Sequence, residues 1–213
     1  MRAVKGIPRR MVSSGRPGET VPWGAIRPLG PLVPASGVGA VRFPTEVRVA
    51  FDGRSLLVRF ECLDPDPWST LRARDADLWT EEVVELFVAP GEGDPASYAE
   101  IEVNPAGAVF DAWVDNPEGD RRTMRVDRSW DLDGLEALAG VGGAGWWVEL
   151  TVPLAPIAQR SGVPVGDTWR ANFYRIDRPR DGAPAEFSCW SPTRTEPADF
   201  HVPGRFGFLG VKS

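Results

Sequence analysis

The sequence predicts an all-β protein, a single-domain antiparallel β-sandwich of about ten strands with little helix. Three observations carry this prediction. Apolar and polar residues alternate with period two through many short segments, and turn-forming residues (23 Gly and 21 Pro among 213 residues) are frequent between them. No segment shows an amphipathic helical pattern long enough to organise a fold. Short strands with turn signals about every 8 to 12 residues are typical of a sandwich.

The strand signals become dense from residue 46 onwards. Residues 46–52 alternate, and Asp52-Gly53 supplies a hairpin turn into residues 55–63. One or two helical turns are predicted at 153–160, whereas 116–143 shows no clear pattern. Further strands are predicted at 82–89, 98–104, 108–115, 146–152, 167–177, 187–190 and 205–211.

The chain divides by composition into two parts. Residues 1–44 are rich in Pro and Gly, and we expect this N-terminal segment to pack on the sandwich, with Trp23 and Ile26 covering one end of the core. Residues 45–213 are expected to form the sandwich, because β-rich chains of this length are commonly one domain.

Charge and hydropathy exclude several classes of partner. The formal net charge of −6 argues against nucleic acid, which requires a basic surface. The basic N-terminus lacks the apolar run of a signal peptide, and no segment approaches the roughly 18 apolar residues of a membrane span. We therefore expect a cytoplasmic protein with no nucleic-acid or membrane partner; the oligomeric state stays open. Cys62 and Cys189 do not make a disulfide framework, and Cys62 lies on the apolar side of its strand, where a buried side chain is expected.

Polar residues recur on one side of several predicted strands. Glu85 opposes Val84 and Leu86, and Glu100 and Glu102 oppose Ile101. If these strands are neighbours, the outward positions form one polar face; the alternative is the ordinary wet side of a sandwich. The outward positions are Arg59, Glu61, Glu85, Glu100, Glu102, Asn104, Glu149, Thr151, Arg170, Asn172 and Tyr174.

Two tryptophans adjoin these strands. Trp79 precedes the strand of Glu85, and Trp190 follows the short segment EFSC. A flat aromatic ring covers the apolar C–H face of a pyranose, while neighbouring carboxylates and amides bind its hydroxyls. This combination predicts a site for a polyhydroxylated ligand.

Six segments resemble the family 9 carbohydrate-binding modules, in order and over roughly residues 40 to 211. They are LWTEEVVELFVAP, EIEVNPAGAVFDAW, WWVELTVPL, WRANFYRID, FSCWSPT and FHVPGRFGFL. The resemblance implies a jelly-roll or immunoglobulin-like sandwich that binds a mono- or oligosaccharide without cleaving it. It implies that Trp79 and Trp190 clamp a terminal sugar ring.

The same resemblance assigns polar contacts. Glu85, Asn104 and Asn172 match positions that hydrogen-bond sugar hydroxyls, whereas Glu102 stands where the sugar-binding pattern carries an arginine. With the outward-facing Tyr174, they complete the predicted binding set. No cofactor is expected. Calcium loops occur in the family, so structural calcium is possible, but no ligand set can be assigned; the loop acids Asp64, Asp66, Asp75 and Asp77 are interpreted as loop caps.

The residues leave two other functions open. A glycosidase would use Glu85 with Glu102 or Glu149, at carboxyl separations of about 5–5.5 Å or about 6.5–9.5 Å on either side of a cleft. A b-type haem would need axial ligands such as Met124 and His201 on opposite sides of an apolar slot. Met124 lies in the charged stretch RRTMRVDR, and His201 is interpreted as a structural residue leading into the last strand, so haem is not expected.

Overall fold

Two sheets packed face to face form the protein in the computed structural model, which describes residues 6–14 and 20–211. This part of the chain contains fourteen strands, one α-helix and three short 3-10 turns. The predicted β-sandwich is confirmed. The strands are β1 (Arg9–Met11), β2 (Ser13–Ser14), β3 (Val33–Pro34), β4 (Thr45–Phe51), β5 (Ser55–Leu63), β6 (Val83–Pro90), β7 (Ser97–Val103), β8 (Val109–Asp115), β9 (Arg125–Asp127), β10 (Glu136–Gly142), β11 (Gly145–Pro153), β12 (Thr168–Asp177), β13 (Glu186–Cys189) and β14 (Gly207–Gly210).

The strand order places β6, β7 and β12 inside the larger sheet. That sheet runs β1-β14-β12-β6-β7-β8-β9, with β13 also pairing with β12 and β3 pairing with β13. The smaller sheet runs β10-β11-β5-β4-β2. Most neighbours are antiparallel, but β1 pairs with β14 and β2 pairs with β4 in parallel. Strands β1, β2, β3 and β9 have only two or three residues, too few for alternation to reveal them.

The core between the sheets follows the predicted alternation. Val84 and Leu86 of the larger sheet face Val58 and Phe60 of the smaller sheet in one buried cluster. Cys62 belongs to the same cluster and is a free thiol, as expected. Full burial of each such side chain contributes about 1.5–3 kcal/mol to folding, so the period-two pattern fixes which face of each strand turns inward.

The single helix found in the described residues closes one end of this core. Helix α1 (Leu154–Ser161) buries Leu154, Ile157 and Ala158 and packs against β6 and β7. It ends at Gly162, whose positive φ of 71° gives the left-handed C-terminal cap that glycine adopts without strain. The predicted helical turns at 153–160 are therefore present.

A buried arginine joins the two sheets near one end. Arg175 of β12 donates hydrogen bonds to the Leu63 carbonyl at 2.9 Å, to Thr45 Oγ1 at 3.3 Å and to Asp64 Oδ2 at 2.7 Å. Its side chain is 1% exposed. Since a buried charge is costly without partners, these contacts fix the β4 and β5 ends against β12.

The N-terminal segment contributes strands to both sheets. Ile26 packs with Ala50 and Leu57 on the outer face of the smaller sheet, with Trp23 beside them. The expectation that these two residues cover an end of the core is therefore wrong, because Ala50 and Leu57 occupy outward positions of β4 and β5.

The predicted single polar face is in fact two faces on opposite sides of the sandwich. Arg59 pairs with Glu61 and Glu149 on the outer side of the smaller sheet, where Thr151 also lies. The remaining polar positions belong to the larger sheet. Alternation reports which side of its own strand a residue occupies, but strand pairing decides which sheet that strand joins.

Candidate functional site

Two rows of side chains cross the outer face of the larger sheet. In the first row Tyr174 is registered with Glu85, and Glu85 with Glu102. The second row, one pleat further along, places Glu100 beside Phe87. Residues in register on adjacent strands lie on the same face with their side chains close together, so three glutamates from β6 and β7 meet at one place.

These glutamates form what we term the carboxyl cluster: Glu85, Glu100 and Glu102. One carboxylate oxygen of each lies within 4.8 Å of those of the other two. The residues are 3%, 6% and 1% exposed. Across residues 6–14 and 20–211, no arginine or lysine nitrogen lies within salt-bridge distance of them; the closest cationic candidate is His201 Nε2, 3.9 Å from Glu100 Oε1.

Burial is the main cause of the raised pKa values in the carboxyl cluster. It raises the pKa of Glu100 to about 7, although hydrogen bonding by the Glu102 side chain and then Arg121 and Arg128 lower that pKa in part. The pKa values of Glu85 and Glu102 lie well above the usual range, first because of burial and then because of the neighbouring carboxylates. Negative charges held this close in a poorly solvated site disfavour ionisation of one another.

A cavity of about 440 Å³ opens above the carboxyl cluster. Its floor comes from β6, β7, β8 and β12. Its walls come from the segment before β6, from the segment after β8 together with β9, and from β13 and the loops beside it. The residues that line it are Trp79, Glu85, Glu100, Glu102, Phe110, Arg121, Met124, Val126, Arg128, Ile176, Arg178, Phe187, Ala198, Phe200 and His201.

Two aromatic pairs contribute to this lining. Trp79 meets Phe110 edge to face, with ring centroids 5.3 Å apart, and Phe187 meets Phe200 in the same way at 5.8 Å. Arg178 donates two hydrogen bonds to the Trp79 carbonyl at 3.0 and 3.1 Å, which fixes the backbone that carries the indole. Trp79 and Phe187 are half-buried and thus present ring surface to the cavity.

Arginines at the rim are held by partners outside the carboxyl cluster. Arg121 donates to Asp199 at 3.2 Å, and Arg128 donates to Asp77 at 2.8 Å. Arg128 also lies over the Trp79 ring, 5.4 Å from its centroid. The rim therefore offers guanidinium donors, while the floor offers carboxyl groups.

His201 lies in the cavity lining and does more than lead into the last strand. Its Nδ1 lies 2.9 Å from the Tyr98 hydroxyl, and its ring is 5.1 Å from that of Phe87. Burial lowers the pKa of His201 to about 4, so the imidazole is neutral at neutral pH.

Of the predicted binding residues, the structure brings Trp79, Glu85 and Glu102 to the cavity but places Trp190 elsewhere. The Trp190 amide donates to the Phe173 carbonyl, so Trp190 lies beside Phe173 on the inner face of the larger sheet. Its ring contacts Phe173 edge to face at 5.7 Å and is 8% exposed. The structure thus does not form the predicted clamp of Trp79 and Trp190. Phe187, registered with Ile176 on the outer face, lines the cavity instead.

The two predicted asparagines are used by the protein's own backbone. Asn104 Nδ2 donates to Ser69 Oγ and to the Leu71 carbonyl, while its Oδ1 accepts from the amides of Ala106 and Ala108. Asn172 Nδ2 donates to the Ser191 carbonyl, and its Oδ1 accepts from the Ser191 amide. Both side chains are fully buried and outside the cavity lining. They hold two loops near the cavity walls.

Tyr174 also has a structural environment. Its hydroxyl donates to the Phe200 carbonyl at 3.0 Å, and its ring stacks on Phe200 with centroids 4.2 Å apart. Tyr174 therefore positions Phe200, which reaches the cavity, without lining it itself. Burial raises the pKa of Tyr174 well above its ordinary value, so the hydroxyl stays protonated.

Most residues of the cavity walls could not be predicted from the sequence. Arg121, Met124 and Arg128 come from the stretch that showed no pattern, and no local signal in it marks them as lining residues. Although Met124 lies in a charged stretch of the sequence, it packs against the apolar cluster on the outer face of the larger sheet. Glu149, one candidate for a catalytic pair with Glu85, lies on the other sheet.

Three of the four loop acids have hydrogen-bond partners. Asp64 Oδ1 accepts the Asp66 amide at 2.9 Å, Asp66 Oδ2 accepts from Arg180 at 3.0 Å, and Asp77 accepts from Arg128. Asp75 differs, because its Oδ1 is buried without a hydrogen-bond partner in the described residues.

Comparison with known proteins identifies the family. A profile described as Carbohydrate-binding family 9 matches residues 39–211. The chain belongs to this family. A protein from Arthroderma benhamiae described as an extracellular protein is 29% identical to this family 9 chain, covering 87% of it and 85% of that protein.

Solved structures agree with the sandwich fold. A candidate carbohydrate-binding protein from Bacteroides uniformis superposes with a TM-score of 0.73 at 20% identity, covering 97% of this family 9 chain and all of that chain. A family 9 carbohydrate-binding module from Caldicellulosiruptor kristjanssonii, solved with glucose, gives 0.67 at 17% identity over 96% of both chains. At these identities the likeness establishes the fold. No helix in the described part of the family 9 chain is both long and apolar enough to cross a membrane.

Proposed function

We propose that the cavity binds a mono- or oligosaccharide without cleaving it. The observation that carries this proposal is the pairing, in a family 9 chain, of half-buried aromatic rings with carboxyl and guanidinium groups around one cavity. Its volume of about 440 Å³ falls within the range of about 300–1,000 Å³ typical of small-molecule sites.

Each part of the lining has a counterpart on a sugar. The Trp79 indole and the Phe187 ring offer flat surfaces for the C–H face of a pyranose. Glu85 and Glu100 can exchange hydrogen bonds with hydroxyl groups, and the rim arginines can donate to ring and hydroxyl oxygens. The Caldicellulosiruptor module, solved in complex with glucose and with cellotriose, supports a saccharide as the ligand class.

Binding is favoured over glycoside hydrolysis by the position of the carboxyl groups. The oxygens of Glu85, Glu100 and Glu102 lie within 4.8 Å of one another on one sheet. A glycosidase needs an acid and a base that flank the scissile bond, whereas these three groups share one side of the cavity.

A glycan array followed by calorimetry tests the proposal. Trp79→Ala should weaken the affinity for the best glycan by about 5- to 10-fold, since a stacked aromatic contributes on the order of 1 kcal/mol. The matched control is Trp147→Ala: Trp147 is also half-buried and lies beside an arginine, Arg59, but belongs to the smaller sheet. The control should keep wild-type affinity.

Two results would contradict the proposal. One is the absence of any glycan bound by the wild-type protein. The other is an affinity that Trp79→Ala and Phe187→Ala both leave unchanged. Turnover of an aryl glycoside by the wild type, lost in Glu85→Gln, would replace binding by catalysis.

A further inference from the structure

Three clusters of acids occur in the described part of the chain, and two of them contain an arginine. Asp64 and Asp177 lie 2.7 and 3.9 Å from Arg175. Asp111 and Asp131 both contact Arg74, the second at 3.0 Å. In these two clusters the protein itself supplies a cation.

The carboxyl cluster has no such cation. The rim arginines contact Asp199, Asp77 and the Trp79 carbonyl, and among the described residues none of them forms a salt bridge with the three glutamates. Moreover, Glu102 Oε2 is buried without a hydrogen-bond partner in the described residues. Glu85 and Glu102 stand directly opposite each other on adjacent strands, a position in which two negative charges would repel each other unless a cation lay between them.

We propose that Glu85, Glu100 and Glu102 bind a hard divalent cation of the calcium class at the floor of the cavity. The oxygens lie within 4.8 Å of one another, and two ligands on opposite sides of Ca²⁺, each at about 2.3–2.6 Å, are about 5 Å apart. Three oxygens at this spacing can therefore share one ion without a change of strand register.

The donor chemistry selects the type of metal. All three groups are carboxylates, which suit Ca²⁺, Mg²⁺ and Mn²⁺ rather than soft or imidazole-preferring ions. His201 stands beside the cluster rather than in it: Nε2 is 3.9 Å from Glu100 Oε1, and Nδ1 contacts Tyr98. It lies in the position of an outer-shell residue that orients a ligand.

Three carboxylates leave part of a six- to eight-fold shell open towards the cavity, because Ca²⁺ takes about 6–8 oxygens. Hydroxyl oxygens of a bound sugar are ligands of the same chemistry. This last step rests on the proposed saccharide function, but the cation site does not.

The test uses the full protein after treatment with a chelator and no sugar. Calorimetric titration with Ca²⁺ should show one site, and Ca²⁺ should raise the melting temperature. Tb³⁺ should bind at the same site, and excitation of Trp79 in the cavity wall should sensitise its emission. Glu102→Gln and Glu85→Gln should each weaken Ca²⁺ binding at least about 10-fold, whereas Glu149→Gln on the smaller sheet should leave it unchanged.

Two variants are used so that the test does not depend on the correct folding of a single one. Glu85 and Glu102 both line the cavity but belong to different strands, β6 and β7, so a near-isosteric Gln at one position still tests the site if the other variant does not fold. The proposal is overturned if wild type binds none of Ca²⁺, Mg²⁺ and Mn²⁺, or if binding survives in folded Glu85→Gln. Ca²⁺ binding by a protein that recognises no glycan would leave the cation site standing and remove the saccharide function alone.

Discussion

Replacing Trp190 by alanine should destabilise the fold rather than act on a ligand. The indole lies in the core between the sheets, 8% exposed, against Phe173. Truncation of a buried tryptophan to alanine costs about 3–5 kcal/mol, from lost burial and the cavity left behind. For a domain of this size each kcal/mol lowers the melting temperature by about 2–4 °C, so Trp190→Ala should melt roughly 6 to 20 °C lower.

The backbone at Gly207 gives this prediction an internal check. A Cβ atom at Gly207 would stand 2.2 Å from Trp190 Cζ3, far closer than two non-bonded carbon atoms can approach. Gly207→Ala should therefore be destabilising in the wild type but much less so when Trp190 is already alanine. Residues in contact show such non-additivity, of about 0.5–3 kcal/mol, in double-mutant cycles.

Urea denaturation of the four proteins in the cycle, with thermal melts in parallel, measures both effects. Trp79→Ala serves as the matched comparison, because its ring is half-buried over the cavity and should cost much less stability. A Trp190→Ala protein that kept the wild-type melting temperature and lost sugar affinity would refute this prediction. Trp190 would then be a ligand-binding residue, as the family resemblance implied.

Two further predictions concern buried polar groups. Burial first, and then Asp64, raise the pKa of Glu82 from its ordinary value of about 4.5 to about 10. Because the folded protein then binds one proton more than the unfolded chain, the free energy of unfolding should fall as pH rises between these two pKa values. Glu82→Gln should flatten this dependence in urea titrations between about pH 5 and about pH 9; an unchanged slope would contradict the assignment. Asn172→Ala should cost about 1–3 kcal/mol, because it leaves the buried amide and carbonyl of Ser191 unpaired. Its denaturation midpoint checks this, and a midpoint equal to that of the wild type would show that water replaces the side chain.

Much of the larger sheet was accessible to sequence reasoning because burial enforces alternation. Residues such as Val84 and Ile101 face the core as their period-two pattern requires, and Glu85 and Glu102 consequently share the outer face. The assignment of Arg59 and Glu149 to that face failed because the pattern is identical in both sheets. Only the pairing of β11 with β5 shows that Arg59 and Glu149 belong to the smaller sheet.

The tryptophan error has a similar origin. Phe187 and Trp190 are three positions apart, so an extended backbone turns them to opposite faces. From the sequence alone, only one of the two side chains can face the cavity. The pairing of β13 with β12 determines that it is Phe187. The asparagines were misassigned for another reason. The sequence does not distinguish a polar side chain that hydrogen-bonds the protein's own loops from one that binds a ligand.

The origin of the cavity's parts bears on how its selectivity can change. Its floor belongs to strands with a neighbour on either side, so a substitution there disturbs sheet pairing and recognition together. Most of its walls come from connecting segments, which tolerate insertion and replacement far better than strands do. New ligand preferences should therefore arise through changes in the segments that carry Trp79, Arg121 and Phe200, while the glutamates beneath stay constrained by the sandwich. Libraries that randomise only the connecting segments would explore new specificities with the least loss of folded protein.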